Sequence, residues 1–119
     1  MTSLKAARAD VAAKITTATA AYTVTVLDFD PPQLSNVDTI TVSTAGVTPT
    51  DWQLFIRIYV RAIQSSEGQD RLDDLVEAIE TVGESLGSGS PRSTWEFDYD
   101  ESKDCFVMLT TVDYPRVDW

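Results

Sequence analysis

The sequence contains no histidine. This removes the Ser-His and Cys-His nucleophile systems, the commonest general acid–base and the usual zinc ligand sets. Cysteine occurs once, as Cys105. No intramolecular disulfide and no site of several thiolates can form, and a reducing cytoplasm fits best as the place of synthesis. No apolar run reaches the roughly 20 residues that a membrane helix needs. Lys5 and Arg8 are followed by Asp10 and Lys14 rather than by an apolar stretch, so no secretory signal is expected. Basic residues are scarce, 9 against 19 acidic, and the formal net charge is −10. Affinity for DNA rests on Lys and Arg neutralising phosphates, so such a surface repels nucleic acid and anionic membranes. It keeps a protein soluble, and it also suits one that DNA must pass without sticking.

What is present is a globular composition. Hydrophobic residues make up 43% of 119, which predicts one domain over 1–119 with a thin core. Self-association would add burial that a single chain of this size lacks.

The segment from Thr2 to about Ala20 reads as a helix, with Leu4, Ala7, Val11, Ile15 and Ala18 on one stripe and Thr2 or Ser3 as N-cap. Tyr22 to Phe29 alternates like a strand and stops at Asp30-Pro31-Pro32. Asp38 to Ser43 is a second strand. Thr44 to Asp51, with Gly46 and Pro49, reads as a loop. From Trp52 to about Gln64 runs the longest strand. Trp52, Leu54, Ile56, Ile58, Val60 and Ala62 line one face, and Gln53, Phe55, Arg57, Tyr59, Arg61 and Ile63 the other. That second face is half solvated or pressed against something acidic.

Ser66 opens a second helix, with Gln69 at capping-box spacing and Leu72, Leu75, Val76, Ile79, Val82 and Leu86 as its apolar stripe. Gly87 is the expected stop, and 87–93 a loop. Trp95, Phe97 and Tyr99 alternate with Glu96, Asp98 and Asp100 in a hairpin that turns within 101–104 and returns from Cys105 to about Tyr114. A tail occupies 115–119. The expected fold is α+β, in the order α-β-β-β-α-β-β: a five-stranded mixed, mainly antiparallel sheet with two helices packed on one face.

Few residues invite chemistry. Cys105 sits in an alternating strand with no evident basic neighbour to lower its pKa, which reads as a buried structural thiol. Asp73, Asp74 and Glu77 could do acid–base work, but they share the polar side of an amphipathic helix, where a solvated face accounts for them. Asp98, Asp100, Ser102 and Asp104 have the alternating spacing that opens a calcium loop. Lys103 stands where that loop needs glycine and Leu109 where it needs glutamate, so a polar hairpin end explains them better. The Gly-Ser run from Gly87 follows a helix instead of preceding one, so it offers no phosphate cradle. No catalytic, cofactor-binding or metal-ligating residue is therefore expected. What remains points to contact surfaces: Trp52, Arg57, Tyr59, Arg61, Tyr114, Arg116 and Trp119 are candidate interface residues, since aromatics and arginine concentrate at interface hot spots. Large side chains filling a thin core are the alternative reading.

Several runs together carry a family resemblance: LKAARADVAAKI at 4–15, the strand entering Asp30-Pro31-Pro32, WQLFIRIYV at 52–60, LDDLVEAI at 72–79 and the acidic WEFDY at 95–99. In pattern and order, over nearly the full length, the chain resembles the tail-terminator (minor tail) proteins of long-tailed bacteriophages. The resemblance implies a virion protein made in the host cytoplasm. It would form a hexameric ring on the head-proximal end of the tail tube, stop tube polymerisation and present a surface to a head-completion or stopper protein. DNA would pass through the ring without specific binding, and no reaction would be catalysed. The family has no motif that assigns individual contacts, and which acids would face the lumen is not specified. Another head–tail connector or tail-completion protein is the nearest alternative. A small-ligand-binding α+β domain or enzyme, marked by a deep pocket with convergent polar groups, is the alternative of a different class. A cytoplasmic antitoxin or adaptor is a third.

Overall fold

A computed structural model describes residues 3–31, 34, 37–61, 66–83, 95–102 and 104–116. Within these, the order is α1 (Leu4–Ala18), β1 (Val24–Leu27), β2 (Asp38–Val47), β3 (Asp51–Arg61), α2 (Ser66–Glu80), β4 (Glu96–Asp100) and β5 (Cys105–Pro115). The strands form one mixed sheet in the order β1-β2-β3-β5-β4. Only the β1–β2 pair is parallel, as expected for an α+β fold.

Helix α1 begins at Ser3, whose Oγ accepts a hydrogen bond from the Ala6 N–H at 3.1 Å and so satisfies one of the free donors of the first turn. Its threonines end it. The hydroxyls of Thr16, Thr17 and Thr19 donate back to the carbonyls of Ala12, Ala13 and Ile15, a bond that competes with continued helix. The stripe Ala7, Val11 and Ile15 is fully buried, and so are Leu72 and Ile79 of α2, with Leu75 nearly so. Both helices pack on the sheet face formed by Ile40 and Val42 of β2, Leu54, Ile56, Ile58 and Val60 of β3, and Val112 of β5. Alternation along β3 therefore sorts the two faces as its sequence indicates.

Several boundaries differ from the sequence reading. β1 keeps only four residues, because the turn at Asp28 and Phe29 stops it before Asp30. The expected loop at 44–51 is mostly strand. β2 continues to Val47, and the register shifts between Thr44 and Gly46, where Thr44 faces Leu54 but Gly46 faces Gln53. Gly46 here marks a bulge rather than a loop: one extra residue is accommodated and the ladder resumes. A Cβ at Gly46 would come within 2.7 Å of Gln53 Oε1. The true turn is Thr48–Asp51, closed by Thr48 N–H to Asp51 O and by Asp51 N–H to Thr48 Oγ1, both at 2.9 Å.

Helix α2 ends at Glu80, short of the expected Gly87. The Thr81 hydroxyl donates to Ala78 O, and the Val82 N–H reaches Ile79 O in a tightened last turn. Gln69 donates to Asp73, four residues on. Expectations for Ser66 as a capping side chain, for Leu86 and Gly87, for the loop at 87–93 and for the tail at 117–119 lie outside the described residues. No helix among the described residues is long and apolar enough to cross a membrane.

Candidate functional site

The two helices do not roof the sheet evenly. Helix α1 packs on β1 and β2, and α2 packs on β3. On the same face, cross-strand register carries the row Ile40, Ile58, Met108, Phe97 from β2 to β4, with Val60, Phe106 and Tyr99 beside it. Ile58 and Val60 are fully buried, whereas Phe97 is 53% and Tyr99 42% exposed. Their rings gather on Phe106, with centroids 5.5 Å and 6.2 Å away. The β4 flank thus ends in an uncovered aromatic strip. It is continuous with the core, because Phe106 and Met108 pack against the buried cluster.

The alternate residues of β4 are acidic and point to the opposite face. Glu96, Asp98, Asp100 and Glu101 wall a groove of about 480 Å³ whose floor includes Arg57, Tyr59, Val107 and Leu109. Asp104 makes the hairpin turn with φ of 52°, a left-handed conformation that aspartate tolerates better than most residues. Its carboxylate accepts a hydrogen bond from the Tyr99 hydroxyl, and this bond raises the pKa of that phenol. Ser102 Oγ donates to Asp100 at 2.7 Å. The calcium-like spacing is thus engaged in hairpin hydrogen bonds, and no group of three or more metal-ligating side chains is assembled among the described residues.

The sequence-selected interface residues divide into three sets. Tyr59 lies inside the subunit, only 3% exposed. Its hydroxyl donates to Asp30 Oδ1 at 2.9 Å, and burial followed by that carboxylate pushes its pKa far up. Leu34 packs on the cluster of Tyr59, Cys105 and Val107 on this face. The acidic partner that the arginine-aromatic face of β3 called for is partly Asp30 of the same chain. Arg57 donates to Ser43 Oγ at 2.8 Å and lies 4.4 Å from the Phe55 ring centroid. Arg61 is exposed at the end of β3.

The second set gathers at the opposite end of the strands. Trp52 pairs with Tyr114 across β3 and β5, and Arg116 stacks over Trp52 at 4.3 Å. The Arg116 guanidinium donates to Thr48 O at 2.8 Å, and the Arg116 backbone N–H donates to Thr50 O. Tyr114 donates to Asp10 Oδ2 of α1 at 2.6 Å. That bond, ahead of the weaker effect of Lys14, lowers the Asp10 pKa. These three residues brace the β2–β3 turn and α1, so most of their bonding capacity is spent within the chain. Trp119, the third set, lies outside the described residues.

Cys105 is 2% exposed, and burial raises its pKa. A basic neighbour does exist, since Arg61 pairs with it across β3–β5, but desolvation outweighs that charge. Asp73, Asp74 and Glu77 are exposed along α2. No local spacing signals the Arg71–Asp38 pair, in which Nε and Nη2 donate to the two carboxylate oxygens at 2.7 and 3.1 Å. It ties α2 to the first residue of β2, and the bond to Asp38 raises the pKa of the guanidinium. No protein-family model matches the chain, and no curated protein matches it.

Proposed function

We propose that this chain is a structural virion subunit of the tail-terminator kind. It would assemble into a ring on the head-proximal end of a phage tail tube, halt tube growth and join the tube to a head-completion protein. The observation that carries the reading is the unroofed aromatic strip of the β4 flank, where Phe97 and Tyr99 stand exposed on a face whose other half is covered by helices. Exposed apolar surface continuous with a core marks a surface built for contact. The net charge of −10 also supports it, because like charge lets DNA slide through a lumen without being held.

The test uses the full chain with purified tail tubes whose head-proximal end is uncapped, viewed by negative-stain microscopy. The reading expects decoration of one tube end only, six-fold rings in end views, and arrest of further tube growth. Absence of binding, or binding along the tube sides, refutes it. So does a small molecule held in the groove beside Arg57, which would favour a ligand-binding domain.

A further inference from the structure

The β4 hairpin and helix α1 carry opposite charge. Between Glu96 and Asp104 the sequence has five carboxylates against one lysine, whereas α1 has Lys5, Arg8 and Lys14 against one acid, Asp10. In a chain of net charge −10, a helix with a basic surplus is an exception that calls for a partner. The fold sets these two regions apart. β4 is one edge of the sheet, β1 is the other, and α1 packs on β1 and β2. Four strand spacings, about 19 Å, separate the edges.

Helical geometry shows which way the basic residues point. Asp10 reaches Tyr114 on β5, so that side of α1 looks toward the β5–β4 half of the sheet. Arg8 lies two residues back, about 200° around the helix, and Lys5 five residues back, about 140°. Both therefore point away from β5, toward the β1 flank. Lys14 is occupied by Asp10 at 3.0 Å. Lys5 and Arg8 form no ion pair among the described residues, and Arg8 Nε is buried without a hydrogen-bond acceptor. Beside them Ala6, Ala9 and Ala13 are exposed and give the helix a low surface against which rings can lie.

We infer that the β4 flank of one copy of this chain docks head to tail on the α1–β1 flank of a second copy. The β4 edge straddles α1: the Phe97 and Tyr99 rings, on one face of β4, cover the alanine surface, while Glu96 and Asp98, on its other face, reach Lys5 and Arg8 on the β1 side of the helix. A symmetric contact between two β4 flanks would set acid against acid, so charge selects the heterologous pairing. Such a contact repeats, and it closes into a ring when its rotation allows. The inference rests on the ring reading only for that closure. The contact itself is a property of two copies in solution.

Sedimentation velocity of the full chain over a wide concentration range tests it, at low salt and at about 0.5 M salt, where the screening length falls to about 4 Å. Association at low salt that weakens at high salt is expected. The variant Lys5→Glu/Arg8→Glu and the variant Glu96→Lys/Asp98→Lys should each associate about tenfold more weakly or worse, as like charges oppose across the contact. Mixed together, the two variants should regain association, since each then offers the flank the other needs. Circular dichroism melts establish that both remain folded. A chain that stays monomeric at every concentration overturns the inference. So does association untouched by Lys5→Glu/Arg8→Glu, or a mixture that fails to recover. The tube-end experiment is read separately: end decoration without self-association removes this contact and leaves tube capping standing, whereas self-association without end decoration does the reverse.

Discussion

Replacing Arg71 by methionine isolates the bond that holds α2 to the sheet. Methionine keeps most of the aliphatic stem and removes the two donors to Asp38. The partners differ in burial: the Asp38 side chain is 11% exposed and Arg71 40%. Deleting one partner of a fully buried pair costs about 3–5 kcal/mol, because the other charge stays desolvated. A fully exposed pair is worth about 1 kcal/mol or less. Asp38 is close to the first limit and Arg71 to the second, so Arg71→Met should cost about 2 kcal/mol. For a domain of this length that corresponds to a fall in Tm of about 8 °C. Asp38→Asn retains an acceptor without the charge and should cost about 1 kcal/mol. The double variant should cost about 1 kcal/mol less than the sum, since each change removes the reason for the other's penalty. Thermal and urea unfolding of the four proteins measure the cycle. A shift under about 2 °C for Arg71→Met, or strict additivity, would refute the claim that this pair anchors α2 to β2.

Two further outcomes follow from bonds made within the subunit. Tyr114→Phe removes the hydroxyl that reaches Asp10 and should cost about 1 kcal/mol near neutral pH, discounted because Asp10 is 40% exposed. The sign with pH is definite. Asp10 has a folded pKa below its ordinary 3.8, so its contribution is present above that value and is lost as pH falls through the folded pKa. The stability gap between wild type and Tyr114→Phe should therefore narrow below about pH 4, and a gap that widens in acid would contradict the assignment. Cys105, buried and with its pKa raised by desolvation, should react with a thiol reagent slowly in the native protein and at the free-thiol rate in urea. Fast native labelling would place the thiol outside the core.

Local periodicity made most of the architecture legible. Ala7, Val11 and Ile15 at helical spacing, and Leu54, Ile56 and Ile58 at strand spacing, are core residues in both the sequence and the fold. Such patterns record which side of an element is buried, and burial is decided residue by residue. What was hidden depends on partners distant in the chain. Asp38 and Arg71 are 33 residues apart, Asp30 and Tyr59 are 29 apart, and Asp10 and Tyr114 are 104 apart. No local spacing encodes these pairs. They explain why Tyr59 and Tyr114, expected from the sequence as interface residues, direct their hydroxyls to carboxylates of the same chain. Gly46 misled for a related reason, because a glycine in a bulge and a glycine in a loop look alike until the neighbouring strand is in place. The aromatic strip was half visible: alternation put Phe97 and Tyr99 on one face of β4, but only the fold shows that both rings stay exposed there.

That gap in the roof has a geometric origin. Five strands about 4.8 Å apart make a sheet about 24 Å wide, and two helices about 10 Å across cover about 20 Å of it. With two helices of 15 residues each, about one strand of apolar surface is left at whichever flank they avoid. Here α1 goes to β1 and β2 and α2 to β3, so the shortfall appears on β4. An edge strand with exposed rings is a hazard, because its free N–H and C=O groups invite a second edge. The carboxylates of Glu96, Asp98 and Asp100 alternate with those rings and oppose pairing of two such edges. The same charge leaves the strip open to a basic surface. In the contact proposed above, an edge that rejects its own kind and meets the opposite sign pairs head to tail, and that asymmetry is what distinguishes an open-ended assembly contact from a closed dimer.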